Sequence, residues 1–398
     1  MNELDVKSMG NTTQHAYIAG IYEHPTRKAV GVSTAQLHAD VARGALQDAG
    51  LSLKDVDAYF CAGDAPGIGA MTMAEYLGLN VSYAETTETG GSSYLVHVRH
   101  AALAIAAGKC NVALITMADR PVAGKSGVGL AGVSLSNMPD SPFTSPYTPA
   151  GPVTDYAMVA RRHMHEFETT SEQLAWVKVA ASQHAQHNPH ALLRNVVTVD
   201  EVLNSPLVAD PLHRLDCCVV TDGGGAVVVT RPEIAKSLRR PLVRLIGSGE
   251  AIKHSNGGKV DLTRSAGRWS APMAFEEAGV SARDIKYVSV YDSFTITVVI
   301  QIEDLGFCDK GAGGRFVADG NLISGVGRLP FNTDGGGLCN NHPGNRGGIT
   351  KIIEAVRQIR GEAHPAVQVS DCDLALAHGT GGSLGGYHTA ATLIFERA

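Results

Sequence analysis

Cysteine is sparse in this sequence and cannot be fully paired. There are seven in 398 residues: Cys61, Cys110, Cys217, Cys218, Cys308, Cys339 and Cys372. No C-x-x-C pair occurs, which removes the usual signature of a disulfide framework or a zinc site. A reduced, cytoplasmic protein is therefore expected, and the Asn-x-Ser/Thr triplets at Asn11 and Asn80 are read as chance matches. Aromatic residues are scarce at 6%, against 45 glycines, which favours closely packed helices and strands over a β-sandwich. No apolar run approaches ~18 residues, so no membrane span is expected. The first twenty residues lack a basic segment followed by an apolar one, so no secretion signal is read there. The net charge is −6 and no basic stripe is visible, which argues against nucleic acid as a partner. A few local donors still suffice to hold a small anionic ligand.

What is present is an alternation. "VDAYFCAG" (56–63), "NVALITMA" (111–118), "GGAVVVT" (224–230), "YVSVYDS" (287–293) and "DLALAHG" (373–379) read as buried strands. Between them lie helix-period segments, one capped by Ser33 and one by Thr170 or Ser171. The pattern predicts α/β layers with largely parallel sheets. It also repeats. Residues 45–63 and 274–292 align without a gap at an offset of 229, pairing Gly50 with Gly279, Ser52 with Ser281, Asp55 with Asp284 and Val56 with Ile285. Each copy is a helix, a glycine stop, a Ser-x-x-Asp turn and a strand. A second pairing follows in order: "GGSSYLVHVRHAALAIAAG" with its strand mirrors "NHPGNRGGITKIIEAVRQIRG" with its own. Two related halves are expected, 1–245 and 246–398. The Gly-, Ser- and Pro-rich stretch 123–153 interrupts the first half. It reads as part of a lid or binding surface over 120–170, or as a plain surface excursion or oligomer arm.

If a pseudo-dyad relates the halves, "TETGGSS" (87–93) and "NNHPGNRGG" (340–348) both stand at the N-termini of equivalent helices. Two such ends aimed at one place concentrate N–H donors and positive dipole there. An enolate, an oxyanion or a thioester carbonyl suits that environment.

Four motifs then carry a resemblance. "LDCCVVTDGGGAVVV" (215–229), "GGGLCNNHPGNRGG" (335–348), "AHGTGGSLGG" (377–386) and "VYDSFTI" (290–296) are similar, in order, to segments of the thiolase superfamily. The branch resembled is the sterol-carrier-protein type, and the likeness covers nearly the whole chain. It implies an α/β thiolase fold of two pseudo-symmetric βαβαβαββ halves in a five-layered αβαβα arrangement, and a homodimer. The departure is at the nucleophile. The superfamily's Cys-x-Ser-Gly pattern falls here on Gly91, Ser92, Ser93 and Tyr94. Without a thiolate there is no acyl-enzyme, and Ser92 or Ser93 would need a base that the sequence does not place. The family's second, acid/base cysteine aligns near His378.

"YDSF" (291–294) resembles the motif of cysteine-less steroid side-chain aldolases, which cleave β-hydroxyacyl-CoA thioesters by a retro-aldol reaction. That chemistry needs a proton taken from the β-hydroxyl, an enolate stabilised and the α-carbon protonated. The resemblance implies Tyr291 as acid/base and His342 as polariser of the thioester oxygen or aid to protonation. Some of those aldolases carry tyrosine where this chain has His342. Asp292, His378, Gly91, Ser92 and Gly381 are the expected substrate-binding positions, Asp292 as an orienting group rather than a base.

No cofactor or metal is implied in the chain itself, the coenzyme A thioester being substrate. A small OB-fold and zinc-ribbon protein is implied as partner, supplying the zinc. Two other readings stay open: a thiolase or acyltransferase with a non-standard nucleophile, and a non-catalytic lipid- or CoA-binding subunit. Cys339 and the Cys217–Cys218 pair read as packing, and the histidine tract 184–190 as a solvated helix end. "HSNGGKVDL" (254–262) is a weak phosphate-contact pattern through Gly257, Gly258 and Lys259.

Overall fold

The computed structural model describes residues 16–125, 151–256, 259–344 and 347–398. Most of the stretch 123–153, together with Gly257, Gly258 and Asn11, lies outside the described residues. In the first half the chain runs β1 Tyr17–Glu23, α1 Thr34–Ala49, β2 Ala58–Cys61, α2 Ala70–Leu77, β3 Tyr83–Thr86, α3 Ser93–Ala106 and β4 Val112–Asp119. Then come α4 Pro152–Phe167, α5 Ser171–Ala185, a small ribbon of β5 Leu207–Ala209 and β6 Leu212–His213, and β7 Gly223–Thr230. The second half runs β8 Val243–Lys253, α6 Gly267–Ala278, β9 Tyr287–Val290, α7 Thr295–Asp304, α8 Gly348–Arg360, β10 Leu374–Gly382 and β11 His388–Arg397.

The repeat read in the sequence is a repeat of local chemistry. α1 ends on Gly50 at φ 73° and α6 on Gly279 at φ 69°, both left-handed caps. In the next turn Ser52 N–H donates to Asp55 at 2.8 Å, and Ser281 N–H donates to Asp284 at 2.8 Å.

The strand order is β3-β2-β4-β7-β1-β8-β11-β10-β9. Outward from the β1/β8 junction, each half has two antiparallel pairings and then a parallel one. Within the sheet the halves are joined by a single register pair, Tyr17 opposite Arg244. One strand breaks the symmetry. The counterpart of β3 is reduced to an isolated parallel bridge between Val288 and Phe331.

Side-chain alternation builds the layers. Tyr59, Leu114 and Val228 pack with Val41, Leu46 and Met73 of α1 and α2. Their neighbours Phe60, Ile115 and Val227 point the other way, into a core shared with Leu95 of α3, Ile352 of α8, and Ala375, Leu393 and Phe395 of the second half. Leu376 and Ile394 face outward again, toward Ala274 of α6 and Ile296 and Val299 of α7. This gives helix, strand, helix, strand and helix layers in turn, the arrangement expected from the family resemblance. α3 and α8 form the central layer, and α8 is buried almost all round, as a helix between two sheets must be. α4 and α5 belong to the first half in sequence, yet Tyr156, Val159, Leu174 and Val177 pack into the outer core of the second.

His184, expected to be solvated, is buried, and its Nε2 accepts from Ser324 N–H at 2.9 Å. Among the described residues no helix is long and apolar enough to cross a membrane.

Candidate active site

The starts of α3 and α8 and strand β10 converge with almost no side chains between their backbones. A Cβ on Gly381 would lie 2.9 Å from Gly90 Cα, and one on Gly348 would overlap the Gly91 carbonyl. Gly91 is the decisive position. A Cβ there would sit 2.5 Å from Tyr291 Cζ and would overlap the Thr380 carbonyl. The space into which a nucleophilic cysteine would project is occupied by the ring of Tyr291.

Tyr291 follows β9. Its peptide is pinned on both sides, its N–H donating to His378 O at 3.0 Å and its carbonyl accepting from Gln301 Nε2 at 2.7 Å. Its side chain meets His342 edge-on, with centroids 5.4 Å apart and planes at 72°. Both residues are buried, at 5% and 4% exposure. Burial drives the Tyr291 phenol well above its ordinary range, nearby Cys218 and Tyr156 add to the rise, and a hydrogen bond from Gly347 works the other way. Burial likewise pulls His342 down to about 4, with Asp292 raising and Lys351 lowering it. Near neutral pH the pair is therefore a protonated phenol beside an uncharged imidazole. Neither imidazole nitrogen has a side-chain hydrogen-bond partner among the described residues, the nearby polar group being the Gly344 backbone.

The other expected residues have different surroundings. Asp292 is fully buried and its oxygens accept from Gly337 N–H at 2.8 Å, Leu338 N–H at 3.1 Å and Lys351 Nζ at 2.8 Å. Three protein donors occupy it, so it orients the structure around it and has no free face for substrate. Ser92 Oγ lies 2.8 Å from Thr89 O and 2.7 Å from Thr389 Oγ1. Ser93 Oγ donates to Gly90 O at 2.7 Å. Both hydroxyls serve the turn that starts α3, and neither is hydrogen-bonded to a base.

His378 is not brought to the Tyr291–His342 pair. Along β10, Ala377 faces the central core, so the alternation turns His378 to the other side. Its Nδ1 lies 2.9 Å from Thr392 Oγ1, and a Cβ on Gly267 would lie 3.3 Å from its Nε2. Its main-chain carbonyl, not its imidazole, touches the site.

Sequence reading missed two neighbours. Tyr156 of α4 stacks on Phe294 with centroids 4.7 Å apart, and Ser293 hydrogen-bonds to its side chain. Cys218 N–H donates to Ser293 O at 2.9 Å, and its thiol is pushed up by burial. The adjacent cysteines were visible in sequence, but nothing there placed one of them beside residue 291. Cys339 is fully buried against the second core, as packing requires.

The fold and the emptied nucleophile position define a class of proteins, and comparison with known proteins names it. The profile of the family "Thiolase C-terminal domain-like" matches residues 249–397. The chain is 32% identical to an acetyl-CoA acetyltransferase of Methanothermobacter thermautotrophicus, over 92% of this chain and 95% of that protein. It is 34% identical to a steroid side-chain-cleaving aldolase of Thermomonospora curvata, over 87% of this chain and 90% of that protein. The solved structure of an Ltp2-ChsH2(DUF35) aldolase superposes with a TM-score of 0.86 at 31% identity, covering 97% of this chain and 98% of that one. The chain belongs to the thiolase superfamily, in its sterol-carrier-protein-type branch.

Proposed function

We propose that this chain is a thiolase-fold carbon–carbon lyase that cleaves a β-hydroxyacyl-CoA thioester by a retro-aldol reaction. One observation carries the reading: the Tyr291 ring lies against Gly91, the position the family resemblance assigns to the nucleophile, beside an uncharged imidazole with no side-chain hydrogen bond among the described residues. The likeness to a steroid side-chain-cleaving aldolase supports it.

Retro-aldol cleavage moves one proton from the β-hydroxyl to the α-carbon. As the β-hydroxyl proton leaves, the Cα–Cβ bond breaks, its electrons enter the thioester as an enolate, and a ketone or aldehyde departs. Protonation of the enolate carbon gives the shortened acyl-CoA. Tyr291 and His342 form the acid/base couple for both transfers. At neutral pH only the imidazole is in the form that accepts the hydroxyl proton and only the phenol in the form that donates to the enolate carbon, and return of the imidazolium proton to the phenolate restores the pair. Backbone N–H groups at the starts of α3 and α8 face the enolate oxygen. No redox step occurs, so the chain requires no redox cofactor.

An acyltransferase reading, favoured by the acetyl-CoA acetyltransferase relative, needs a covalent nucleophile. Burial holds the described thiols up, Cys61 and Cys217 at about 12, and the hydroxyls of Ser92 and Ser93 are committed to the α3 turn.

A homodimer is proposed through β3, an edge strand flanked by exposed Ile68 and by Met71 and Tyr76 of α2. A small OB-fold/zinc-ribbon partner and a cytoplasmic setting complete the proposal.

The test presents purified chain, alone and with a co-expressed partner, with β-hydroxyacyl- and β-ketoacyl-CoA panels that include steroid side chains, and follows products by mass spectrometry. A carbonyl product plus shortened acyl-CoA from the hydroxy esters, lost in Tyr291→Phe, is the expected result. CoA-dependent cleavage of keto esters with a trapped acyl-enzyme would establish the acyltransferase instead. No turnover with the partner present would leave the non-catalytic subunit.

A further inference from the structure

His342 is delivered by a short helix, Gly336–Cys339, and that helix is tethered at both ends by buried charges. At its start the Asp292 carboxylate accepts the Gly337 and Leu338 N–H groups. Farther on, Lys178 Nζ donates to the Leu338 carbonyl at 2.7 Å. Asp292 is the next residue after Tyr291, so one side chain links the peptide that carries the phenol to the helix that carries the imidazole. The glycines of this segment fit that purpose. A Cβ on Gly336 would overlap Asp292 Oδ2, and one on Gly337 would lie 3.1 Å from Asp292 Oδ1 and 3.0 Å from His342 Cδ2. The His342 ring therefore rests directly on the backbone that the carboxylate holds. Downstream, Thr221 Oγ1 accepts from His342 N–H at 2.9 Å.

The charge is balanced from a third element. Lys351 of α8 is 1% exposed and its Nζ lies 2.8 Å from Asp292 Oδ1. Removing either ion alone leaves the other buried without its contact partner, and Lys351 also faces the carboxylates of Asp334 and Glu23. Among the described residues, the charges that bear most on the imidazole are Asp292 from the end of β9 and Lys351 from α8, acting with opposite sign, and Tyr291 faces it with an uncharged phenol.

We propose that Asp292 and Lys351 are a positioning pair for the Tyr291–His342 couple: the carboxylate sets the separation of the two rings, and the ammonium cancels the carboxylate's field at the imidazole. Its kinetic consequence rests on the aldolase reading, and its electrostatic consequence does not.

The experiment compares Asp292→Asn, Lys351→Met and the double variant, with thermal melts as the check on folding. His342 is followed by NMR titration of labelled imidazoles, assigned by its disappearance in His342→Gln. Removing the ammonium leaves the carboxylate unopposed, so the His342 titration moves to higher pH. Removing the carboxylate charge moves it lower, and the double variant returns it toward the wild-type position. A merely structural pair would not produce shifts of opposite sign. In the kinetic arm each single variant loses roughly 10- to 100-fold in kcat with little change in KM, and Lys351→Arg recovers most of the loss. If a single variant fails to fold, the double variant, which removes both charges of the pair, still reports: kcat lowered with the His342 titration near wild type supports the pair.

Unchanged titration in both single variants, or movement in the same direction, overturns the proposal. Inactivity of the wild-type chain on every β-hydroxy ester would overturn the aldolase reading and leave the NMR result to decide the pair.

Discussion

The two helix starts that meet at the site are built by related halves, and they differ in what they leave free. At the start of α3 every hydroxyl is spent locally: Ser92 bonds to Thr89 and Thr389, Ser93 to Gly90. At the approach to α8 the imidazole of His342 has neither nitrogen bonded to a side chain among the described residues. One half presents backbone without a reactive side chain, Gly91 standing where the family resemblance puts the thiolate. The other presents the side chain, with a phenol set against Gly91. On the proposed mechanism a pseudo-symmetric fold divides labour, one helix start giving room and N–H donors, the other giving the groups that move protons.

The sharpest way to break this division is at Gly91. Gly91→Ala drives a methyl into the Tyr291 ring, and kcat is expected to fall by more than ~100-fold with ~1–3 kcal/mol of stability lost to overpacking. Gly91→Cys is expected to be equally inactive and to trap no acyl group, because the ring already fills the site. Steady-state kinetics and a thermal melt on both variants decide this.

On the other side, His342→Gln is expected to cost roughly 10²- to 10⁴-fold in kcat. The wild-type profile should stay flat through neutral pH and fall as pH drops through about 4, where the imidazole takes a proton. Stability has a wider acid limb. His97 and His184 are pulled to about 4 by burial, and His378 and His388 to about 3. Folded-state values below the unfolded value of ~6.5 mean that the folded protein binds fewer protons. Their contribution is complete above ~6.5 and is lost as pH falls toward 4 and 3, so melting temperature should decline well before activity does.

The smallest effects should lie where hydroxyls or imidazoles only support the frame. Ser92→Ala removes the bonds to Thr89 and Thr389 and is expected to cost about 1 kcal/mol with kcat within about threefold. His378→Ala should cost ~2 kcal/mol through the cavity it leaves, again with kcat nearly unchanged. A large loss of kcat in either variant without loss of fold would return that residue to the chemistry.

Much of the architecture is local and was therefore legible. Gly50 and Gly279 stop helices because they reach left-handed φ cheaply, and Ser52–Asp55 and Ser281–Asp284 close the same turn twice. The apolar runs at 56–63, 111–118 and 373–379 were legible as buried strands, and the Tyr-Asp-Ser-Phe and His-Pro-Gly segments, through the family resemblance, marked where chemistry was expected. The motif put His378 among the substrate-binding positions, and only the alternation seen along β10, with Ala377 in the central core, turns its imidazole away.

What one dimension withheld is what depends on approach through space. The pairing of Asp292 with Lys351 spans 59 positions, and the sequence carried no mark of it. Tyr156 reaches the neighbourhood of Tyr291 only because α4 packs on the far half of the molecule. The sequence by itself determined the repeat, the layers and the absence of a cysteine at residue 91, since these follow from short-range backbone preference and residue identity. Only the tertiary structure decided what stands in the cysteine's place and in which protonation state. Both depend on which side chains exclude water from one another, and that is settled when the two halves close on a common core.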